Sequence, residues 1–287
     1  MFYFIHIKNT KNIGDKSCSP MHYFKFPEKC CELDFNDDIP ELNSDDTIIF
    51  GGGAVEPHIN KYFKDHSEIN DLGIKTYAWG VGLSRRGGAK TKAVNLPRRF
   101  PVDLFGSREF GREIGQHNML YVPCPTCMHS IFDKKFEVTR EVVFYSHSFF
   151  PLDVDGMTEE NVLFNRQQFE EAISFLASAE YVVTNSYHGT YWSLLLGKKT
   201  ICVPFSSKFY GFIFPPSYCL DKNWKSCLNS AVSYTGALAD ARKRNINFWQ
   251  EILLQHYYRK KNISNLINIS KLGIQRMVNE FFRPKYS

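Results

Sequence analysis

The sequence predicts an α/β protein of two lobes, each a parallel sheet with helices packed on its faces. Short apolar runs rich in β-branched and aromatic residues alternate with polar stretches of helical length, the pattern of parallel strands joined by helical crossovers. The alternation breaks between residues 123 and 140, where proline, cysteine and charge crowd together without period, and then restarts. With 43% hydrophobic and 15% aromatic residues in 287, the chain has enough apolar material for two modest cores, although size alone allows one large one. A lobe boundary near Phe136 gives segments 1–135 and 136–287.

In the first lobe the strand candidates are residues 3–7, 32–35, 47–50, 74–79, 104–106 and 119–122. Nearly every one ends in glycine, asparagine or proline, the residues that punctuate strands. The second lobe reads as strand 141–145, helix 166–179, strand 181–184, helix 190–196 and strand 200–203. The tail reads as two long helices, 237–258 and 263–282. In the latter Leu266, Ile269, Ile274, Met277, Val278 and Phe281 follow a period near 3.6, so it should cover apolar surface and bridge the lobes.

Composition narrows the function classes. The net charge of +5 comes from 35 basic and 30 acidic residues that are interspersed, without the basic runs of a nucleic-acid tail. An acidic small substrate or an anionic membrane surface fits better than DNA. Residues 1–7 are too short an apolar stretch for a signal-peptide core, and no window has the 18 or so apolar residues of a membrane span. The expectation is a cytoplasmic chain with at most peripheral membrane contact. Eight cysteines in such a chain read as reduced thiols. Cys124 and Cys127 have metal-like spacing, but zinc needs four ligands, with His129, Cys30 and Cys31 the remaining donors to consider; a redox pair is the other chemical reading, and a Pro-stiffened loop is the simpler one. No metal and no resident cofactor are expected.

In parallel sheets ligands bind beyond the carboxyl ends of the strands, so the residues just after each strand matter most. Those are Asn12, Gly14 and Asp15 after the first strand, Gly51-Gly52-Gly53 after the third and Gly80-x-Gly82 after the fourth. Ser107-Arg108-Glu109 follows the fifth. Glycines there let backbone approach a ligand, although turns alone also require them. None matches a phosphate loop or a dinucleotide fingerprint. Residues 181–208 are the most informative: a buried strand delivers Asn185, Ser186, Tyr187 and His188 to a turn, Gly189 frees the backbone, and an apolar helix runs from Thr190 onward. This places His188 at the mouth of a cleft, beside a helix N-terminus carrying roughly half a positive charge. It is a candidate acid, base or hydrogen-bond donor to phosphate, against the plainer reading of a histidine that only bonds the turn. Arg85, Arg86 and His147 are further cleft candidates, with Asp15 and His147 considered for a second proton transfer.

The Ser186-Tyr187-His188-Gly189 turn, followed by Gly197-Lys198-Lys199-Thr200-Ile201-Cys202-Val203-Pro204-Phe205, Lys208 and Gly211-Phe212, resembles the C-terminal signature of the polysaccharide pyruvyl transferase family. The upstream motifs named above occur in that family's order. The resemblance implies two Rossmann-like lobes in a GT-B-like arrangement with C-terminal helices. It also implies a reaction in which phosphoenolpyruvate, the donor substrate, gives its enolpyruvyl carbons to two hydroxyls of a sugar or lipid-linked glycan, forming a pyruvate ketal. By the same resemblance His188 and Arg108 are catalytic, and Lys208 matches the family's lysine after the C-lobe strand. Two departures stand out: Ser186 lies where the family often has arginine, and Glu109 where aspartate is usual. The alternatives are a nucleotide-sugar glycosyltransferase of the same architecture and a non-catalytic glycan-binding relative. Against the former, no acid lies between Glu180 and Asp221 to hold a ribose.

Overall fold

The computed structural model describes residues 1–83 and 100–260. In chain order the elements are β1 (Phe2–His6), α1 (Ile13–Lys16), β2 (Cys30–Asp34), β3 (Thr47–Phe50), α2 (Glu56–Asp65), α3 (Glu68–Asp71), β4 (Lys75–Val81), β5 (Leu104–Ser107) and β6 (Met119–Tyr121). They continue with β7 (Arg140–Ser146), β8 (Val162–Phe164), α4 (Phe169–Ala177), β9 (Ala179–Thr184), α5 (Tyr187–Leu195), β10 (Lys199–Cys202), β11 (Ser217–Tyr218) and α6 (Ala237–Lys260). Arg85, Arg86 and the helix expected over 263–282 lie outside the described residues.

The strands form two sheets, ordered β2-β1-β3-β4-β5-β6 and β11-β10-β9-β7-β8. Every pairing is parallel. β1 and β3 are buried along their whole length, which is why they read as uninterrupted apolar runs instead of alternating ones. The connection from β6 to β7 carries the proline- and cysteine-rich stretch as 3₁₀ turns at Pro125–Met128 and Ser130–Asp133.

Each sheet is packed on both faces. On the first, Ile5, Ile48, Phe50 and Phe105 meet Ile59 and Phe63 of α2. Its other face, with Phe4, Ile49, Tyr77 and Trp79, meets Phe248, Trp249 and Ile252 of α6. On the second sheet Val143 and Val182 pack with Ile173 and Leu176 of α4 and Trp192 of α5, in a core that also takes in Ile13, Cys18, Cys124 and Cys127. The opposite face gathers Phe144, Val183, Ile201 and Trp224. Bridging is performed by α6, whose Ala237 and Ala241 belong to the core around α5 while its later residues cover the first sheet.

Two helix starts differ from the sequence reading. α4 begins at Phe169, so residues 166–168 lie ahead of it. α5 begins at Tyr187, upstream of Thr190, because the Ser186 hydroxyl accepts from the Gly189 N–H and caps the helix there. Among the described residues no helix is long and apolar enough to cross a membrane.

Candidate active site

The strands of each sheet run one way, so their carboxyl ends share an edge and the loops beyond them are neighbours. After β1, Asn12 caps α1: its Oδ1 accepts from Gly14 N at 3.2 Å and its Nδ2 donates to Asp15 Oδ2 at 2.8 Å. That fixes Asp15. After β3, Gly53 sits at φ +89°, and a Cβ there would come within 3.2 Å of Asp15 Oδ1. Its carbonyl accepts from Gly82 N at 2.7 Å, tying the loops after β3 and β4 together. Gly51 and Gly52 pack closely on His6 and Cys18, and Gly80 on Cys124 and Pro125.

Arg108, just past β5, is 2% exposed. A Cβ at Gly82 would lie 2.8 Å from its Nε, so glycine is what lets the guanidinium lie flat against that loop. On its other side the guanidinium stacks on the Tyr187 ring at 3.9 Å, and the Tyr187 hydroxyl donates to the Arg108 carbonyl at 3.2 Å. Arg108 Nε and Nη1 are buried without a hydrogen-bond partner among the described residues. Ser107 shapes this turn, its Oγ accepting from Glu109 N at 3.1 Å. Glu109, fully buried, accepts from Leu83 N at 2.7 Å and lies 3.6 Å from Arg112 Nε.

The second sheet supplies the rest. Asn185, after β9, accepts from His147 N at 2.9 Å and donates to the Phe150 carbonyl at 2.6 Å, holding the loop after β7 in place. His147 Nδ1 accepts from Phe149 N at 3.2 Å, leaving Nε2 as its other ring nitrogen. Gly189 allows α5 to lie against Tyr145, where a Cβ would meet ring carbon at 2.5 Å. Instead of standing at an open mouth, His188 is 4% exposed in the first turn of α5. Its Nδ1 would be 2.0 Å from a Cβ on Gly14, its Nε2 lies 3.6 Å from Cys124 Sγ, and its ring lies 5.3 Å from that of Trp192. Lys208 is half-buried with its ammonium 4.7 Å from the Phe205 ring centre.

These groups act on one another. Burial, then the charges of Arg108, Lys208 and His147, push His188 well below the usual histidine range, so it rests neutral. Burial raises the Asp15 carboxyl, while Arg108, Lys208 and the Asn12 bond oppose the rise. Lys208 is lowered to about 8 by burial and by Arg108, against Asp15 and Glu109. His147 is lowered to about 4 by burial and by Lys208. The structure thus gathers Asp15, Arg108, His147, His188 and Lys208 into one coupled group. Asn12, Ser107, Asn185 and Ser186 orient its backbone, and Gly14, Gly53 and Gly82 make room for its side chains.

Sequence reasoning missed Cys124 as the partner of His188 and the tyrosine face beneath Arg108. Sequence spacing pairs Cys124 with Cys127, whereas in the structure both are free and buried and the Cys127 sulfur accepts from Asn245 Nδ2 at 3.4 Å. Among the described residues no group of three or more His, Cys, Asp or Glu side chains is placed to hold a metal ion.

No curated protein matches the chain. Among solved structures it is similar to a functionally uncharacterised protein from Klebsiella pneumoniae subsp. pneumoniae NTUH-K2044, at 16% identity and a TM-score of 0.37, covering 61% of this chain and 72% of that one. It is also similar to a UDP-GlcNAc 2-epimerase from Neisseria meningitidis, at 10% identity and a TM-score of 0.35, covering 98% of each. Residues 131–207 match the family model of polysaccharide pyruvyl transferase, a segment that runs through β7, α4, β9, α5 and β10 and contains His147 and His188. The resemblance read from the Ser-Tyr-His-Gly turn and the strand after it is therefore shown over this segment: it is similar to the polysaccharide pyruvyl transferases.

Proposed function

We propose that the chain is a ketal-forming pyruvyl transferase that takes phosphoenolpyruvate as donor and a sugar of a glycan, free or lipid-linked, as acceptor. On this reading residues 1–135 and 136–287 are two lobes in a GT-B-like arrangement, with the donor held between their strand ends. The observation that carries it is the Arg108 guanidinium, 2% exposed with Nε and Nη1 unpartnered among the described residues. A cation buried without acceptors costs stability, and a bound anion is the partner that removes that cost. Lys208 and the N-terminus of α5 add positive potential suited to a phosphate and a carboxylate. A cation about 4 Å from one donor charge contributes roughly 4 kcal/mol at an effective dielectric near 20, before desolvation.

The chemistry divides between the two groups whose protonation the site moves in opposite directions. Asp15, raised by burial, is suited to give a proton to the methylene carbon of the enol, leaving a cationic centre at C2. His188, held neutral, is suited to take the proton of the sugar hydroxyl that attacks C2. In the tautomer that places Nε2–H on the Cys124 sulfur, 3.6 Å away, Nδ1 keeps its lone pair. A second hydroxyl then bonds to C2 as the C2–O bond to phosphate breaks; its proton leaves with the phosphate, and the proton taken by His188 returns through water to Asp15, restoring both groups. No resident cofactor is needed.

Two measurements test the reading. Phosphoenolpyruvate should raise the melting temperature, by the equivalent of about 2.7 kcal/mol at a hundredfold excess over Kd, where nucleotide sugars leave it unmoved. Arg108→Met should abolish that shift without unfolding the protein. Phosphate release from phosphoenolpyruvate over a panel of glycans then separates a transferase from a non-catalytic relative. A shift with nucleotide sugars instead would assign the site to a glycosyltransferase.

A further inference from the structure

The loop after β7 turns two large aromatic side chains outward beside the coupled charges: Phe149 is 67% exposed and Phe150 is 43% exposed. Isolated apolar side chains on a surface need no explanation, but these belong to a continuous set. The His147 ring lies 6.1 Å from Phe149 and 5.4 Å from Phe150, and Phe150 lies 4.9 Å from Phe205. Phe205 in turn carries the Lys208 ammonium over its face at 4.7 Å. The Arg166 guanidinium lies 5.5 Å from the Phe149 ring. Aromatic surface therefore runs from solvent to the cation proposed to hold the donor. The Asn185 side chain fixes its path by bonding both the His147 N–H and the Phe150 carbonyl.

We infer that Phe149 and Phe150 form the platform on which the pyranose ring of the acceptor stacks, with Phe205 as its inner end. This rests on the transferase reading for its chemistry. A pyranose offers a face of C–H groups that matches an aromatic ring, and a rim of hydroxyls for polar neighbours. Here the rim is His147 Nε2, Lys208 and Arg166. The platform ends at Lys208, so a sugar seated on it presents its hydroxyls toward the proposed donor. Charge argues against a bilayer as the occupant. The connection from β7 to β8 that carries both rings also exposes Asp153, Asp155, Glu159 and Glu160, which repel an anionic surface.

The test uses the full chain and three probes, methyl β-glucoside, methyl β-galactoside and methyl α-mannoside, followed by saturation-transfer NMR. At least one glycoside should receive saturation from the wild-type protein. The signal should fall roughly tenfold in Phe149→Ala/Phe150→Ala, as loss of two ring contacts implies. Phe149→Trp should retain it. The melting shift produced by phosphoenolpyruvate should stay the same in all three proteins, since Arg108 and Lys208 are unchanged in each. No transfer from any glycoside, or equal transfer to the double alanine variant, overturns the platform. So does co-sedimentation of wild type, but not of the double variant, with phosphatidylcholine–phosphatidylglycerol vesicles in the absence of that glycoside difference. Glycoside transfer that depends on both rings, in a protein that phosphoenolpyruvate does not stabilise, supports the platform and rejects the donor.

Discussion

Lys208 carries a consequence of its surroundings that can be read by titration. Burial and the nearby Arg108 lower its pKa from the ordinary 10.5 to about 8. Because the folded-state value is the depressed one, the folded chain sheds this proton near pH 8 while the unfolded chain keeps it to about 10.5. The unfolded state thus binds more protons in that window, and the group's contribution to stability rises with pH through it. Below pH 8 both states are protonated and the penalty of keeping an ammonium beside Arg108 is fully present. Donor binding moves the other way, since an anion needs the ammonium. The affinity for phosphoenolpyruvate should hold from pH 7 to about 8 and decline above it, and Lys208→Arg should remove the decline, because a guanidinium stays charged. Calorimetric titration at several pH values checks this; an unchanged break in the arginine variant would take Lys208 out of the donor site.

At the scale of elements, the start of α5 decides where the candidate histidine lies. Ser186 caps the helix through the Gly189 N–H at 3.3 Å, which draws Tyr187 and His188 into the first turn and turns the imidazole inward, toward Gly14 and Cys124. Ser186→Ala should cost about 1 kcal/mol of stability, the usual worth of such a cap. It should also lower turnover more than it weakens donor binding, because Arg108 and Lys208 stay in place. Denaturant titration and steady-state kinetics on one preparation would show whether the two effects separate. The serine at this position was legible in the sequence as a departure from the family, but its capping role was hidden by Gly189, which argues against a helix on propensity alone. The long buried strands were readable because β-branched and aromatic runs mark them. β8 and β11 were not, being edge strands of three and two residues whose side chains are only partly covered. The stacking of Arg108 on Tyr187 and the approach of His188 to Cys124 join residues far apart in the chain, and nothing local announces either one.

At the scale of the whole molecule, one helix packs on both sheets, and polar side chains along it join the halves. Asn245 of α6 is fully buried. Its Oδ1 accepts from Trp79 Nε1 of β4 at 2.7 Å, and its Nδ2 donates to the Pro123 carbonyl at 3.1 Å, in the segment that leaves the first sheet for the second. Arg242, one turn earlier, donates to the Cys127 carbonyl at 2.9 Å and pairs with Asp133 at 2.6 Å, while Trp249 donates to the Lys25 carbonyl at 3.1 Å. The helix is thus fixed to both halves, so the described residues should unfold in a single transition. Asn245→Leu keeps the branched shape but strands the indole N–H and the Pro123 carbonyl without partners, and should cost about 2–6 kcal/mol, at roughly 1–3 kcal/mol per orphaned group. The loss should appear as a downward shift of the whole transition, followed together by tryptophan fluorescence and by far-ultraviolet circular dichroism. The melting shift with phosphoenolpyruvate should survive at temperatures where the variant is folded, because the Asn245 side chain bonds Trp79, Pro123, Cys127 and Ala241 and neither donor cation. Should the variant instead melt in two separated steps, the sheets would be independent units and α6 a covering of the first alone.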